Sequence, residues 1–127
     1  MLTIVPKELL DKAVETHGHL GPFLVLGLKM GLRAESIVGK PVACEVVTLG
    51  KKPYLCVVDG LKTVMGSNIV VRKGEGLAAR FRNIDGNEIF LRVKASIVKK
   101  YVESSWEKCE EDAHEVMRSR DEELFEF

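Results

Sequence analysis

The apolar positions of this 127-residue chain change period several times, and each change marks an element. Pro6 opens a helical pattern in which Leu9, Leu10, Ala13 and Val14 share one face as far as Thr16, and His17-Gly18 ends it. From Pro22 to about Ile37 the pattern is apolar nearly all round, through Phe23, Leu24, Val25, Leu26, Leu28, Met30 and Leu32. That predicts a helix buried in the core, with the rest of the chain packed against it. Gly27 and Gly31 share one of its faces. At a cost of about 1 kcal/mol each in helix propensity, they are expected to let another backbone come close, from a helix or from a dimer mate.

Lys40-Pro41 breaks the chain. Val42 to Leu49 is short and β-branched, a strand turned by Gly50-Lys51-Lys52-Pro53, and Tyr54 to Met65 fits a third helix stopped by Gly66. Ser67 to Val71 reads as a strand and Lys73-Gly74-Glu75-Gly76 as a loop. Leu77 to Lys94 reads as a hairpin around Ile84-Asp85-Gly86, because a three-residue loop favours glycine last. That register sets Phe81 opposite Ile89, Ala79 opposite Leu91 and Leu77 opposite Val93 on one face, with Arg82 opposite Glu88 on the other. Arg80, Arg82, Arg92 and Lys94 then share the non-core face with Phe90. From about Ser96 the spacing of Val98, Tyr101, Val102, Trp106, Cys109, Ala113, Val116 and Met117 is helical. About 23 residues would span roughly 35 Å, with a break weighed near Ser104-Ser105. Leu124, Phe125 and Phe127 form an apolar tip in need of a docking place, on this chain or on a neighbouring subunit.

The length suits one domain with a real core, and 46% hydrophobic with 30% charged residues is the balance of a soluble globular protein. No signal peptide and no membrane-spanning run is legible, so cytoplasm is the default compartment. The net charge of zero conceals a basic body, with 16 basic and 9 acidic groups in residues 1 to 102, and an acidic tail from about 96 to 127. Such a tail suits docking on its own body or on another subunit, and equally a solvated helix face; His114 on it is expected at the surface or an interface. Cys44, Cys56 and Cys109 include no C-x-x-C pair, which argues against structural disulfides and a zinc ribbon.

Candidate chemistry gathers at Thr16-His17-Gly18-His19-Leu20-Gly21-Pro22. Imidazole is the commonest metal ligand, and Pro22 at a helix start turns free N–H groups back toward whatever the histidines hold. Imidazoles beside a positive helix end favour an oxygen-bearing or anionic ligand. Cys56, Asp59 and Thr63 fall on one helix face, and a carboxylate in an otherwise apolar helix needs a partner, for which His17 or His19 is the obvious choice. His17 also reads as a cation at a helix C-terminus, and Cys56 as a small packed hydrophobe. Ser67 and Asn68 suit turn chemistry or polar contacts to a cofactor or ligand in a cleft, and Lys73, beside Gly74 and Gly76, contact with an anion.

At these residues the sequence resembles the FmdE family of formylmethanofuran dehydrogenase. That family carries His-Gly-His-x-Cys-Pro before a glycine-containing apolar helix, and here the run is His17-Gly18-His19-Leu20-Gly21-Pro22. Its Cys-x-x-Asp helix matches Cys56-Val57-Val58-Asp59, and its following Thr-Gly-Cys-Thr and Gly-Lys-Gly segments match Val64 to Asn68 and Lys73-Gly74 loosely. Gly21 and Ser67 stand where the family has cysteines, and the zinc finger that some members bear at the C-terminus is absent from this sequence. The resemblance implies an α+β domain with helices covering an antiparallel sheet, a cleft lined by the two motifs, and a homodimer. It links the chain to one-carbon metabolism of the methanogenesis type, and to the other subunits of that dehydrogenase as partners.

His17, His19, Cys56 and Asp59 are the remaining metal candidates, a donor set suited to Zn²⁺ or another divalent transition metal. In a catalytic reading, His19 is ligand or general base and Asp59 its orienting partner. No flavin, nicotinamide or iron–sulfur signal is legible. Two alternatives stand beside this: an accessory subunit whose metal site has decayed, and a nucleic-acid module using the basic hairpin face. The zero net charge and the lack of a binding motif argue against the second.

Overall fold

The computed structural model describes residues 1–50 and 54–126. Its helices are α1 (Lys7–His17), α2 (Pro22–Val38), α3 (Cys56–Met65), α4 (Ala95–Val102), α5 (Cys109–Arg118) and α6 (Asp121–Leu124); its strands are β1 (Ala43–Thr48), β2 (Ile69–Lys73), β3 (Leu77–Arg82), β4 (Glu88–Val93) and β5 (Phe125–Glu126). The fold is α+β, with the helices packed against one face of a sheet ordered β2-β1-β3-β4-β5. The expected turn at Lys51, Lys52 and Pro53 lies outside the described residues.

The sheet is mixed where an antiparallel one was expected. β1 and β2 run parallel, Cys44 beside Ile69 and Thr48 beside Lys73. A parallel neighbour needs a crossover rather than a hairpin, and α3 supplies it. The hairpin register agrees with the side-chain pattern: Phe81 faces Ile89, Ala79 faces Leu91 and Arg82 faces Glu88. Gly86 takes the left-handed φ of 88° that the turn requires. The buried Asn83 secures it, accepting from the N–H groups of Asp85 and Asn87 and donating to the Val38 carbonyl.

Helix α2 is the hub. Pro22 to Gly31 are all buried, and the helix touches α3, α5, β3 and β4. Its glycine face meets α3 rather than a second chain. A Cβ on Gly27 would overlap the Val57 carbonyl, and one on Gly60 would overlap the Leu24 carbonyl and approach the Leu28 nitrogen to 2.8 Å. The two backbones are in contact at the crossing.

The predicted long terminal helix does not form. The chain runs as α4, a 3₁₀ turn at Trp106–Lys108, then α5 and α6, with the break at Ser104-Ser105. The apolar tip then returns to this chain's own sheet: β5 pairs antiparallel to β4, and Leu124 and Phe125 are buried. Phe127 lies outside the described residues. Two buried charges fasten the return. Lys29 donates to the Ser119 carbonyl at 2.7 Å, and its pKa is lowered by burial, with the charges of Asp121 and Glu123 opposing that shift. Asp121 accepts from the N–H and hydroxyl of Thr3 and lies 3.5 Å from Arg33.

The outer sheet face is less basic than the sequence suggested. Arg80 lies between Glu45 and Phe90, Arg82 faces Glu88, Arg92 faces Glu126, and Arg72 pairs with Glu45 at 3.0 Å. Carboxylates are thus interleaved with the arginines on this face.

Two measurements test this architecture. Gly60→Ala is expected to lower stability by about 2 kcal/mol in urea unfolding despite its better helix propensity, because the crossing has no room for a methyl group; an unchanged midpoint would mean that the helices separate freely. Burial pushes the Cys44 thiol up to about 12, from 9.0. Between those values the unfolded chain releases a proton that the folded chain keeps, so stability falls as pH rises. Cys44→Ala should flatten that slope by up to about 1.4 kcal/mol per pH unit, read from urea midpoints at pH 9, 10 and 11.

Candidate functional site

Helix α1 ends on His17 because Gly18, at φ 106°, turns the chain out of the helix while its N–H still reaches the Val14 carbonyl at 2.8 Å. His19 and Leu20 bridge to Gly21, the extended residue before α2. Helix α3 brings Cys56 at its first position and Asp59 one turn on, and the terminal segment brings Tyr101, Trp106 and Cys109 to the opposite side. A cavity of about 510 Å³ lies between them, in the range that holds a small molecule.

Asp59 Oδ2 lies 2.5 Å from His17 Nδ1. A carboxylate only accepts, so it makes Nδ1 the donor and leaves Nε2 on the far side of the ring. The His17 side chain is 8% exposed, and its Nε2 is buried without a hydrogen-bond partner among the described residues. His17 lines the cavity, whereas Asp59 stands behind it. The expected histidine–carboxylate pair therefore forms on His17, and the orienting role read onto Asp59 serves His17 rather than His19. The His19 ring lies 4.6 Å from that of His17 and 4.9 Å from that of Trp106, so three rings run in a row across the mouth.

A thiol occupies the space a side chain at Gly21 would need. A Cβ there would lie 2.8 Å from Cys109 Sγ and 3.4 Å from His19 Nε2. Cys109 opens α5, a position that by itself favours thiolate, yet burial and then the charges of Asp112 and Glu110 raise its pKa. Its half-buried setting therefore works against the thiolate.

Of the residues singled out from the sequence, His17, His19 and Cys56 line the cavity together. Ser67, Asn68 and Lys73 do not reach it. All three are exposed around β2, where Asn68 donates to the Val42 carbonyl and Lys73 ends the strand; they shape the sheet edge. His114 is exposed. Tyr101, Trp106 and Cys109 are the wall residues that the helical pattern assigned to a core face. Trp106 is 72% exposed, because the break at Ser104-Ser105 rotates it off the buried stripe, and that serine pair was the one available signal.

The model of FmdE, the molybdenum formylmethanofuran dehydrogenase operon family, matches residues 16–126. The chain belongs to the FmdE family. The matched stretch contains the His-Gly-His turn, α3 and the whole C-terminal return, so both walls of the cavity lie within the FmdE domain. No curated protein matches the chain. Among the described residues no helix is long and apolar enough to cross a membrane.

The family resemblance raises the question of a metal. Two imidazoles and two thiols line the cavity, but among the described residues no three His, Cys, Asp or Glu side chains are grouped so as to hold an ion. The four metal candidates share one region without converging on one point, and Asp59 is engaged by His17.

The Gly21–Cys109 contact is testable by a double-mutant cycle. Gly21→Ala should cost about 1–3 kcal/mol through its clash with Sγ. Combination with Cys109→Ala should recover at least about 1 kcal/mol of that loss in chemical denaturation, since contacting residues couple; strict additivity would show that the thiol does not fill this space.

Proposed function

We propose that this FmdE-family chain is a small-molecule-binding protein, and that its ligand sits between the His-Gly-His turn and the Tyr101–Cys109 wall. The supporting observation is His17, a buried imidazole aimed by Asp59 and left with one unsatisfied nitrogen on a cavity wall. A buried polar atom without a partner costs stability, and a ligand that satisfies it recovers that cost. The aromatic and aliphatic lining supplies the apolar contact that small-molecule sites use for most of their affinity. The proposal sets this binding in one-carbon metabolism, in the cytoplasm, with the chain acting as a homodimer or beside other formylmethanofuran dehydrogenase subunits; membership of the FmdE family is its support.

A second reading rests on the donors themselves. His17, His19, Cys56 and Cys109 suit Zn²⁺ chemically and line one cavity. It requires three of those side chains to rotate onto one point.

Two-dimensional amide NMR with a library of small aromatic and carbonyl compounds tests the first reading. Compounds that bind should shift the amides of His17, His19, Leu24 and Trp106 together, and Asp59→Asn should weaken binding by about tenfold, the usual effect of losing an orienting partner. Shifts confined to the outer sheet face would overturn it. Elemental analysis of the purified protein decides the second: about one equivalent of zinc, lost in His19→Ala, would select the metal site.

A further inference from the structure

The same cavity has a polarity that specifies its ligand further, on the premise that it is a small-molecule site. Helix α2 is 17 residues long and begins at the cavity, with Pro22, Phe23 and Leu24 in the lining. Its N-cap is Gly21, which has no side chain to cap it, and its first turn holds no acidic residue. The N–H groups of Phe23 and Leu24 precede the first intrahelical bond, from Val25 to the Gly21 carbonyl, and so lack helical acceptors. The positive end of the macrodipole is left without a counter-charge from its own sequence. By contrast α5, whose N-terminus meets the same cavity, carries Glu110, Glu111 and Asp112 in its first turn.

His17 points to the same ligand independently. With Asp59 accepting at Nδ1, Nε2 is the second polar atom of the ring, buried and without a partner among the described residues, and a ligand's acid group can share one proton with it. A carboxylate has two oxygens, one to meet Nε2 and one to meet the first turn of α2, which line the same cavity. Beyond that end, Tyr101, Val102 and the ring of Trp106 form an apolar and aromatic wall. Asp112 also lines the cavity, so a second negative group on the ligand would meet a like charge.

We infer that the cavity takes a small monocarboxylate with an aromatic or otherwise flat apolar body, its carboxylate held by His17 Nε2 and the N-terminus of α2. The body lies against Trp106, and Asp112 excludes dicarboxylates. The assignment rests on no covalent step; it names what the site binds.

Trp106 is the only tryptophan in the chain, so its fluorescence reports the cavity directly. The experiment titrates the full chain with benzoate, its neutral isostere benzamide, and the dicarboxylate terephthalate at constant ionic strength. Benzoate should change Trp106 emission saturably and bind at least about tenfold tighter than either comparator, since benzamide carries neither a negative charge for the helix N-terminus nor an acidic proton to share with Nε2, and terephthalate adds a like charge. His17→Phe should bring benzoate down to the level of benzamide. The series on the unaltered chain keeps the test decisive should that variant fold poorly. Equal affinity for benzoate and benzamide would overturn the carboxylate assignment while leaving the cavity a small-molecule site. Absence of saturable binding by any of the three would overturn the assignment as well, and the compound library would then test the wider reading separately. Terephthalate binding as tightly as benzoate would overturn the exclusion by Asp112.

Discussion

Two helices cross with their backbones in contact, and most of the structure follows from that approach. Gly27 of α2 meets the Val57 carbonyl, and Gly60 of α3 meets the Leu24 carbonyl and the Leu28 nitrogen, so neither position has room for a side chain. Close packing of this kind is intolerant of added volume, and it fixes the height of α3 along α2 to within a fraction of a turn. Asp59 is the neighbour of Gly60 in sequence. Setting the crossing therefore sets the carboxylate, and with it the ring of His17 at the end of α1.

The C-terminal return depends on a different interaction. An apolar helix surrounded on all sides has one cation in its buried turns, Lys29, which is placed where the carbonyl of Ser119 and the charge of Asp121 receive it. A buried charge is tolerated only with partners, so this contact selects where the chain must turn after α5. Asp121 in turn holds the N-terminal segment through Thr3. The result brings β5 to the edge of the sheet and the Trp106 segment to the mouth of the cavity. Without that return the His-Gly-His turn would have one wall.

The site that results is asymmetric in charge and in surface. The α2 N-terminus has no counter-ion of its own and stands near an imidazole with an unused nitrogen, while Asp112 and Cys109, whose thiol pKa burial raises, come from α5. Gly21 belongs to both accounts, since the absence of its side chain lets Cys109 Sγ approach and leaves the helix start uncapped. A substitution at this one position would alter packing and ligand recognition together.

By itself the sequence determined the local elements and the choice of loop. The all-round apolar pattern of Pro22 to Gly31 could only be a buried helix, the alternation in Leu77 to Val93 could pair in one register, and two histidines before a proline-started helix could be placed on a turn. These are short-range consequences of period, turn chemistry and φ preference. What only the tertiary structure decided is what comes from far along the chain. Helical spacing put Tyr101, Trp106 and Cys109 on one continuous stripe; Tyr101 keeps its core place in α4, but the bend at Ser104-Ser105, with the return that buries Leu124 and Phe125, sets Trp106 and Cys109 on a cavity wall. Sequence likewise offered His17 and His19 equally to Asp59, and the α2–α3 crossing chose His17. A pattern records which residues avoid water; only the packed chain decides which other residues they avoid it with.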